Sequence, residues 1–396
     1  MATILLGHWP WTEVMATVVI GGGIIGVACA YYLARRGEPV TLVERGALGM
    51  GSTGRSAGGI RKQFSTAINV ELSLRSGEVW ASFDEEFGVD IGYQQHGYLY
   101  LARETSTLEA LERAVSLQRD HGIETRLMTP SEAAEVCPGL RTDRFLGATY
   151  LATDGFADPY LAVQGYAMAA RDLGVELRTK TAVTDVLTSG GRVHGIETED
   201  GKIEADTVVN TTGGWLAQVT AMAGVDLPVS PRRRQVAVVA PEHPLDSGVP
   251  LTIDHDTGVY FRPEGDDLAI VGGHLSSDDP AVDPDAYRTD YDLEWALDVL
   301  DIAGDVATYF GRDTELRDGW AGLYAVTPDH HPIIDEVIPG FVVAGGFSGH
   351  GFQHAPATGQ LVAELILEEP VTSVNIDRLG LERFEEGETE VERNVT

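Results

Sequence analysis

Gly21, Gly23 and Gly26 stand in the spacing Gly-x-Gly-x-x-Gly directly after a short apolar run, Ala16 to Ile20. That pattern calls for a buried strand, a tight turn and a helix whose first N–H groups face an anion. Gly21 permits the turn, Gly23 lets the backbone approach a pyrophosphate, and Gly26 allows the helix to pack closely on the strand. The helix is predicted from Ile24 and Ile25 to about Arg36, and the next strand, Val40 to Val43, ends in Glu44. The Glu44 carboxylate can accept hydrogen bonds from an adenosine ribose and would repel a 2′-phosphate. Strand, glycines, helix, strand and terminal acid in this order point to adenine-dinucleotide binding.

The elements that hold such a ligand recur along the chain. The segment from Arg45 to Gly59 is dense in glycine and small residues, among them Ser52, Thr53, Ser56, Ala57 and Gly58. Such a loop fits against a flat polar ligand, where backbone amides approach closely. Phe341 to Ala344 reads as a strand, followed by the turn Gly345 to Gln353 and a helix from about Ala357 to Glu368. Ala205 to Trp215 repeats strand, small turn and helix start. Each unit offers an electropositive helix end.

In these markers the chain resembles the D-amino-acid-oxidase superfamily of FAD enzymes, in particular the sarcosine oxidase, glycine oxidase and dimethylglycine dehydrogenase branch. The resemblance covers residues 16–370 and rests on Val18–Gly26, Glu44-Arg45, Gly51–Arg61, Asp206–Trp215, Trp320–Asp329 and Gly345–Gln353. It implies an α/β fold, with an FAD-binding Rossmann-like domain and a discontinuous α+β substrate domain on an antiparallel sheet. The first is expected from segments 15–90, 155–230 and 316–372, the second from 91–154 and 231–315. Candidate strands of the second are His96–Leu101, Gln235–Ala240, Gly258–Arg262 and Leu268–Val271, which alternate as half-buried strands do. Thr129-Pro130-Ser131-Glu132 is a capping box with proline at the first helical position. Residues 1–14 and 382–396 are expected to be flexible, the latter because they are acidic and polar.

The resemblance also implies a site. Cofactor contacts fall on Gly21, Gly23, Ile24, Ile25, Gly26, Glu44, Arg45, Ser52, Thr53, Arg55, Ser56, Ala57 and Gly58. Further contacts fall on Val183, which would back the adenine, on Thr212, Gly213 and Trp215, and on Gly346, Ser348, Gly349, His350, Gly351, Phe352 and Gln353. Oxidising an amino acid at a flavin moves a hydride from Cα to N5 and leaves an imine that hydrolyses. The protein must orient the substrate carboxylate, ideally with a forked arginine. Arg262 is the first candidate and Arg61 the second, with Tyr260 and Tyr324 as cage residues. His350 would hydrogen-bond the flavin's pyrimidine side or the substrate; His330 and His331 read as loop packing.

Two departures stand out. Gln353 replaces a lysine that sarcosine oxidases carry, and Ile270 falls where some oxidases carry an oxygen-activating lysine. Molecular oxygen and an electron carrier therefore both stay open as acceptors. Gly322 and Arg55 occupy the family's covalent attachment points, so FAD is expected to be non-covalent. The leading expectation is an oxidase or dehydrogenase for glycine, sarcosine or a D-amino acid. A 2-hydroxyacid or polyol-phosphate dehydrogenase, and a flavin-holding assembly protein without turnover, remain alternatives.

Composition sets the outer bounds. The 396 residues suggest roughly two to three domains, and 61 acidic against 28 basic residues leave a formal charge of −33. A nucleic-acid partner is disfavoured, because phosphate contacts need a basic face. No apolar run approaches the ~18 residues of a membrane span. No lysine or arginine precedes Arg35, so no secretory signal is expected and the reading is cytoplasmic. Cys29 and Cys137 make neither a disulfide framework nor a zinc site, and no metal is expected at the i, i+4 pair His350 and His354. Of the basic residues only Lys62, Lys180 and Lys202 are lysines. A carboxylate-rich, lysine-poor surface suits molar salt, where the Debye length falls to ~3 Å.

Overall fold

Thr17–Ile20 is buried at every position, as a parallel strand covered on both faces must be. It pairs in parallel with Val40–Glu44 on one side and Thr207–Asn210 on the other. The computed structural model describes residues 16–275, 279–371, 374–385, 387 and 390–395; the expectation for residues 1–14 lies outside them. The first sheet has six strands in the order Ile333–Ile338, Phe341–Gly345, Thr207–Asn210, Thr17–Ile20, Val40–Glu44 and Glu176–Thr179. Its Ile333–Ile338 edge pairs antiparallel. Helix Ile24–Arg35 is buried from Ile24 to Ala34 and packs against Gly351–Ile366. A Cβ at Gly26 would collide with the Gly21 carbonyl and lie 2.7 Å from Thr211 Oγ1. Only glycine lets this helix start against its strand.

The second sheet has eight strands: Glu315–Val326, Ser230–Ala240, Leu268–Gly272, Tyr260–Glu264, Leu251–Asp254, Tyr98–Ala102, Gly147–Leu151 and Arg126–Met128. Its pairings are antiparallel except Leu251–Asp254 on Tyr98–Ala102. Three of its strands lie within a residue or two of the expected ones, while Ser230–Ala240 begins five residues before the expected Gln235 and so takes in Arg232 to Arg234. Its long partner Glu315–Val326 also differs from the sequence reading, which places residues from 316 on with the dinucleotide unit. The register from Ser230 opposite Val326 to Ala240 opposite Glu315 binds that strand to the second sheet.

The capping box at Thr129 forms, with the hydroxyl accepting from Glu132 N and Pro130 at the helix start. Helix Gly351–Ile366 begins six residues earlier than expected and contains Pro356. A proline in the second turn removes one backbone donor, and the next N–H, of Ala357, turns to Ser76 Oγ at 3.2 Å. The Gln353 carbonyl is meanwhile taken by Trp80 Nε1 at 2.8 Å.

Within the stretch expected to fray, particular residues are tied down. Arg383 pairs with Asp329 at 2.8 Å, while Glu392 is fully buried and Asn394 is 4% exposed. Composition treats an acidic stretch as solvated, whereas the Glu392 carboxylate meets a specific set of donors.

Candidate functional site

A cavity of about 720 Å³ is lined from both sheets by the glycine turns and by side chains of the second sheet. Three separate turns converge on it: Gly21 to Ile25, Thr212 to Trp215, and Gly346 to Gln353. Arg45, Ser52, Thr53, Arg55, Ser56, Ala57 and Val183 line it as well. Helices Ile24–Arg35 and Gly351–Ile366 both start here without a cap from their own N-cap residues, Thr53 Oγ1 taking only Ile24 N at 3.1 Å, so partial positive charge is aimed at the space. Glu44 lines the cavity and is held by Gly22 N at 2.8 Å and Gly46 N at 2.7 Å, so its carboxylate is fixed in place. Arg55 donates to the carbonyls of Met50 and Gly51, bracing the glycine-rich loop.

At the mouth, Arg45 and Asp285 pair at 2.8 Å, Trp215 Nε1 donates to Asp285 at 2.7 Å, and the Arg45 guanidinium lies 3.9 Å over the Trp215 ring. This clasp joins the first sheet's turns to the loop that contributes Pro284, Tyr287 and Thr289.

The other end is built of side chains. Arg61 is 7% exposed and lines the cavity. Its guanidinium lies 3.8 Å over the Phe64 ring and donates to the carbonyls of Gln63 and Asn394. Among the described residues no carboxylate pairs with it. Gln353 accepts from Arg61 N at 2.7 Å, so this amide serves the arginine's backbone. His350 has both ring nitrogens buried without a protein partner. Burial, then the nearby His354 and Arg61, hold its pKa well below the usual 6.5, so the imidazole is neutral with one nitrogen donating and one accepting. Tyr260 and Tyr324 line the cavity; a Cβ at Gly349 would run into the Tyr324 ring.

Three expected site residues do not face the cavity. Gly26 is the packing glycine described above. At Gly58 a Cβ would collide with the Ala157 carbonyl, and its φ of +74° favours glycine, so it joins the loop to Gly155–Phe156. Arg262 donates to Ala57 O at 3.1 Å and Pro263 O at 2.8 Å, pairs with Glu264, and covers the Phe156 ring at 4.5 Å. Its charge is consumed locally, and it does not line the cavity.

Arg234 and Val395 are among the cavity residues that the sequence reading does not name. Arg234, the last of three successive arginines in strand Ser230–Ala240, lines the cavity beside Val236. It forms two 2.8 Å hydrogen bonds with Asp279. Strand alternation from Val236 carries this signal. Val395 also lines the cavity, with no local signal.

The comparisons with known proteins agree with this geometry. Residues 16–365 match the DAO family, described as FAD dependent oxidoreductase. FAD-dependent oxidoreductase domain-containing protein 1 of Bos taurus is 32% identical over 94% of this chain and 85% of its own length. Mitochondrial sarcosine dehydrogenase of Homo sapiens is 30% identical over 90% of this chain and 40% of its own length. The crystal structure of L-proline dehydrogenase from P. horikoshii superimposes with a TM-score of 0.86 at 34% identity, over 95% of this chain and 99% of that one.

Proposed function

The chain belongs to the FAD-dependent oxidoreductase (DAO) family, and on that premise we propose that it oxidises the C–N bond of a small amino acid. Glycine, sarcosine, proline and D-amino acids are the candidate substrates. The observation that carries this is Arg61: a buried guanidinium at the cavity with no carboxylate partner among the described residues. A substrate carboxylate would complete it through charge-assisted hydrogen bonds. Bound FAD would supply the acceptor for the hydride that leaves the carbon bonded to the amine nitrogen. Neutral His350 offers one donor and one acceptor to whatever lies between it and Arg61, without competing for the carboxylate as a second cation. Tyr260 and Tyr324 exclude water from the same space. Gly21–Ile25, Glu44 and the loop from Arg45 to Ala57 are the residues that would hold the dinucleotide.

FAD is bound non-covalently in this reading. Gly322 and Arg55 face each other, a Cβ at Gly322 lying 3.0 Å from Arg55 Cβ, and neither can form a thioether or histidyl link. Acid precipitation should therefore release all the yellow colour into the supernatant. The central test is anaerobic mixing with an amino-acid and amine panel. At least one member should bleach the flavin absorbance, and subsequent air separates an oxidase from a dehydrogenase. Bleaching by 2-hydroxyacids alone would overturn the amine assignment.

The acidic, lysine-poor composition supports salt adaptation as part of this proposal, in a cytoplasmic setting. The melting midpoint should fall on transfer from molar to low salt, as self-repulsion loses its screening; an unchanged midpoint would remove that reading.

A further inference from the structure

The segment from Glu392 to Val395 sits at the end of the cavity that holds Arg61. Glu392 is fully buried. Its Oε1 accepts from Ser65 N at 2.9 Å and Ser65 Oγ at 2.6 Å. Its Oε2 accepts from Thr66 N at 3.1 Å, Thr66 Oγ1 at 2.7 Å and Asn69 Nδ2 at 3.1 Å. Thr66 is the N-cap of helix Ala67–Ala81 and its side chain makes no cap hydrogen bond, so the carboxylate fills the anion position at a helix start. The backbone is tied down too: Glu392 N donates to Asp329 O at 3.0 Å, and His330 Nδ1 lies 3.0 Å from Glu392 O.

Beyond this anchor the chain turns toward the site. The Asn394 carbonyl accepts from Arg61 Nη2, Asn394 Nδ2 donates to Gln63 O at 3.0 Å, and Asn394 Oδ1 lies 3.2 Å from His255 Nε2. Val395 then lines the same cavity as Arg61, Gln353 and His350.

We propose that residues Glu392–Val395 form a substrate-selecting wall. Val395 limits the length of the amino acid, Asn394 sets the pose of the Arg61 guanidinium, and Glu392 is the positioning residue that fixes both. The carboxylate anchor stands on its own contacts; the assignment of an amino-acid ligand rests on the function proposed above.

The test uses the holoprotein and needs no turnover: dissociation constants for straight-chain carboxylates from acetate to hexanoate, read from the flavin spectrum. Val395→Phe should weaken hexanoate about tenfold more than acetate, and Val395→Ala should shift the preference toward the longer chains, since a methylene or two in a fitted pocket carries about that factor. Glu392→Gln should instead weaken the whole series alike, raise KM more than it lowers kcat for any substrate found, and speed proteolytic cleavage after Arg393. Length preference unchanged in both Val395 variants would overturn the wall. Equal protease resistance of Glu392→Gln and the parent would overturn the anchor. If carboxylates bind as expected while no amino acid bleaches the flavin, the wall stands and the proposed reaction fails.

Discussion

The two ends of the cavity are built by different means. The dinucleotide end is made largely of backbone turns, the first of which closes locally, Gly22 with Glu44, 22 positions apart. The amino-acid end is made of side chains joined across most of the chain: Arg61 to Gln353 over 292 positions and Thr66 to Glu392 over 326. The first end takes its shape from glycines such as Gly21 and Gly26, where a Cβ would press on backbone. The second holds a charge through a shell of acceptors and an anchor. Replacing residues at the first should therefore empty the protein of flavin, while replacing residues at the second should leave it yellow and alter what it oxidises.

The sharpest break of that contrast is Gly26→Ala. Its methyl has no room against the Gly21 carbonyl, and overpacking costs about 1–3 kcal/mol or more. The variant should purify colourless with a lowered melting midpoint; a stoichiometric flavin content, read as the visible-to-ultraviolet absorbance ratio, would show that the turn tolerates a side chain. Next comes Arg61→Met, expected to stay yellow while kcat/KM falls by about a hundredfold or more, as when one partner of a buried charge pair is removed. Arg234→Met should cost less, because Asp279 already neutralises that guanidinium. Equal losses at the two would mean that the carboxylate is shared.

Acidity tests the second end through stability. Burial lowers the pKa of His350 and His331 and takes His354 to about 3, whereas an unfolded histidine titrates near 6.5. The folded form binds fewer protons, so stability is complete above pH 6.5 and declines as pH falls below it. Burial would raise the Glu392 pKa, but hydrogen bonds from Ser65 and Thr66 outweigh it and leave the value below 4.5. Its contribution is present above that pH and is lost as pH falls through the folded value. Melting midpoints should thus be flat from pH 8 to 6.5 and fall progressively toward pH 4, with His354→Gln shallower in the first part.

The smallest effect is expected at the mouth. Arg45 and Asp285 are both about half exposed, and such a pair is worth about 0–1 kcal/mol. Asp285→Ala should speed flavin release by no more than about fivefold, and less in molar salt. A hundredfold change would make the clasp a principal holder of the cofactor.

The contrast also explains what could be read before the structure. The glycine spacing, the acid at position 44, the helix from Ile24 and the box at Thr129 are local, and each residue type states its backbone geometry. Arg262 misleads because alternation puts it on the face that Tyr260 uses, while the Ala57 carbonyl that captures it lies 205 positions away. Arg234 is hidden within a charged triplet, although the period of two aligns it with Val236. Pro356 suggests a helix boundary, yet Ser76 accepts the displaced N–H and the helix continues. Glu392 carries no local mark at all: among acidic neighbours it looks solvated, and only the donors from Ser65 to Asn69 distinguish it.

The Glu392 carboxylate also has a temporal consequence. During synthesis the start of the helix at Thr66 emerges 326 residues before the group that completes it. Gly22 meets Glu44 within 22 residues. A growing polypeptide thus acquires its nucleotide turn early and its selecting wall much later, so a chain halted before position 392 would carry the glycine turns for FAD without the wall that limits what it oxidises.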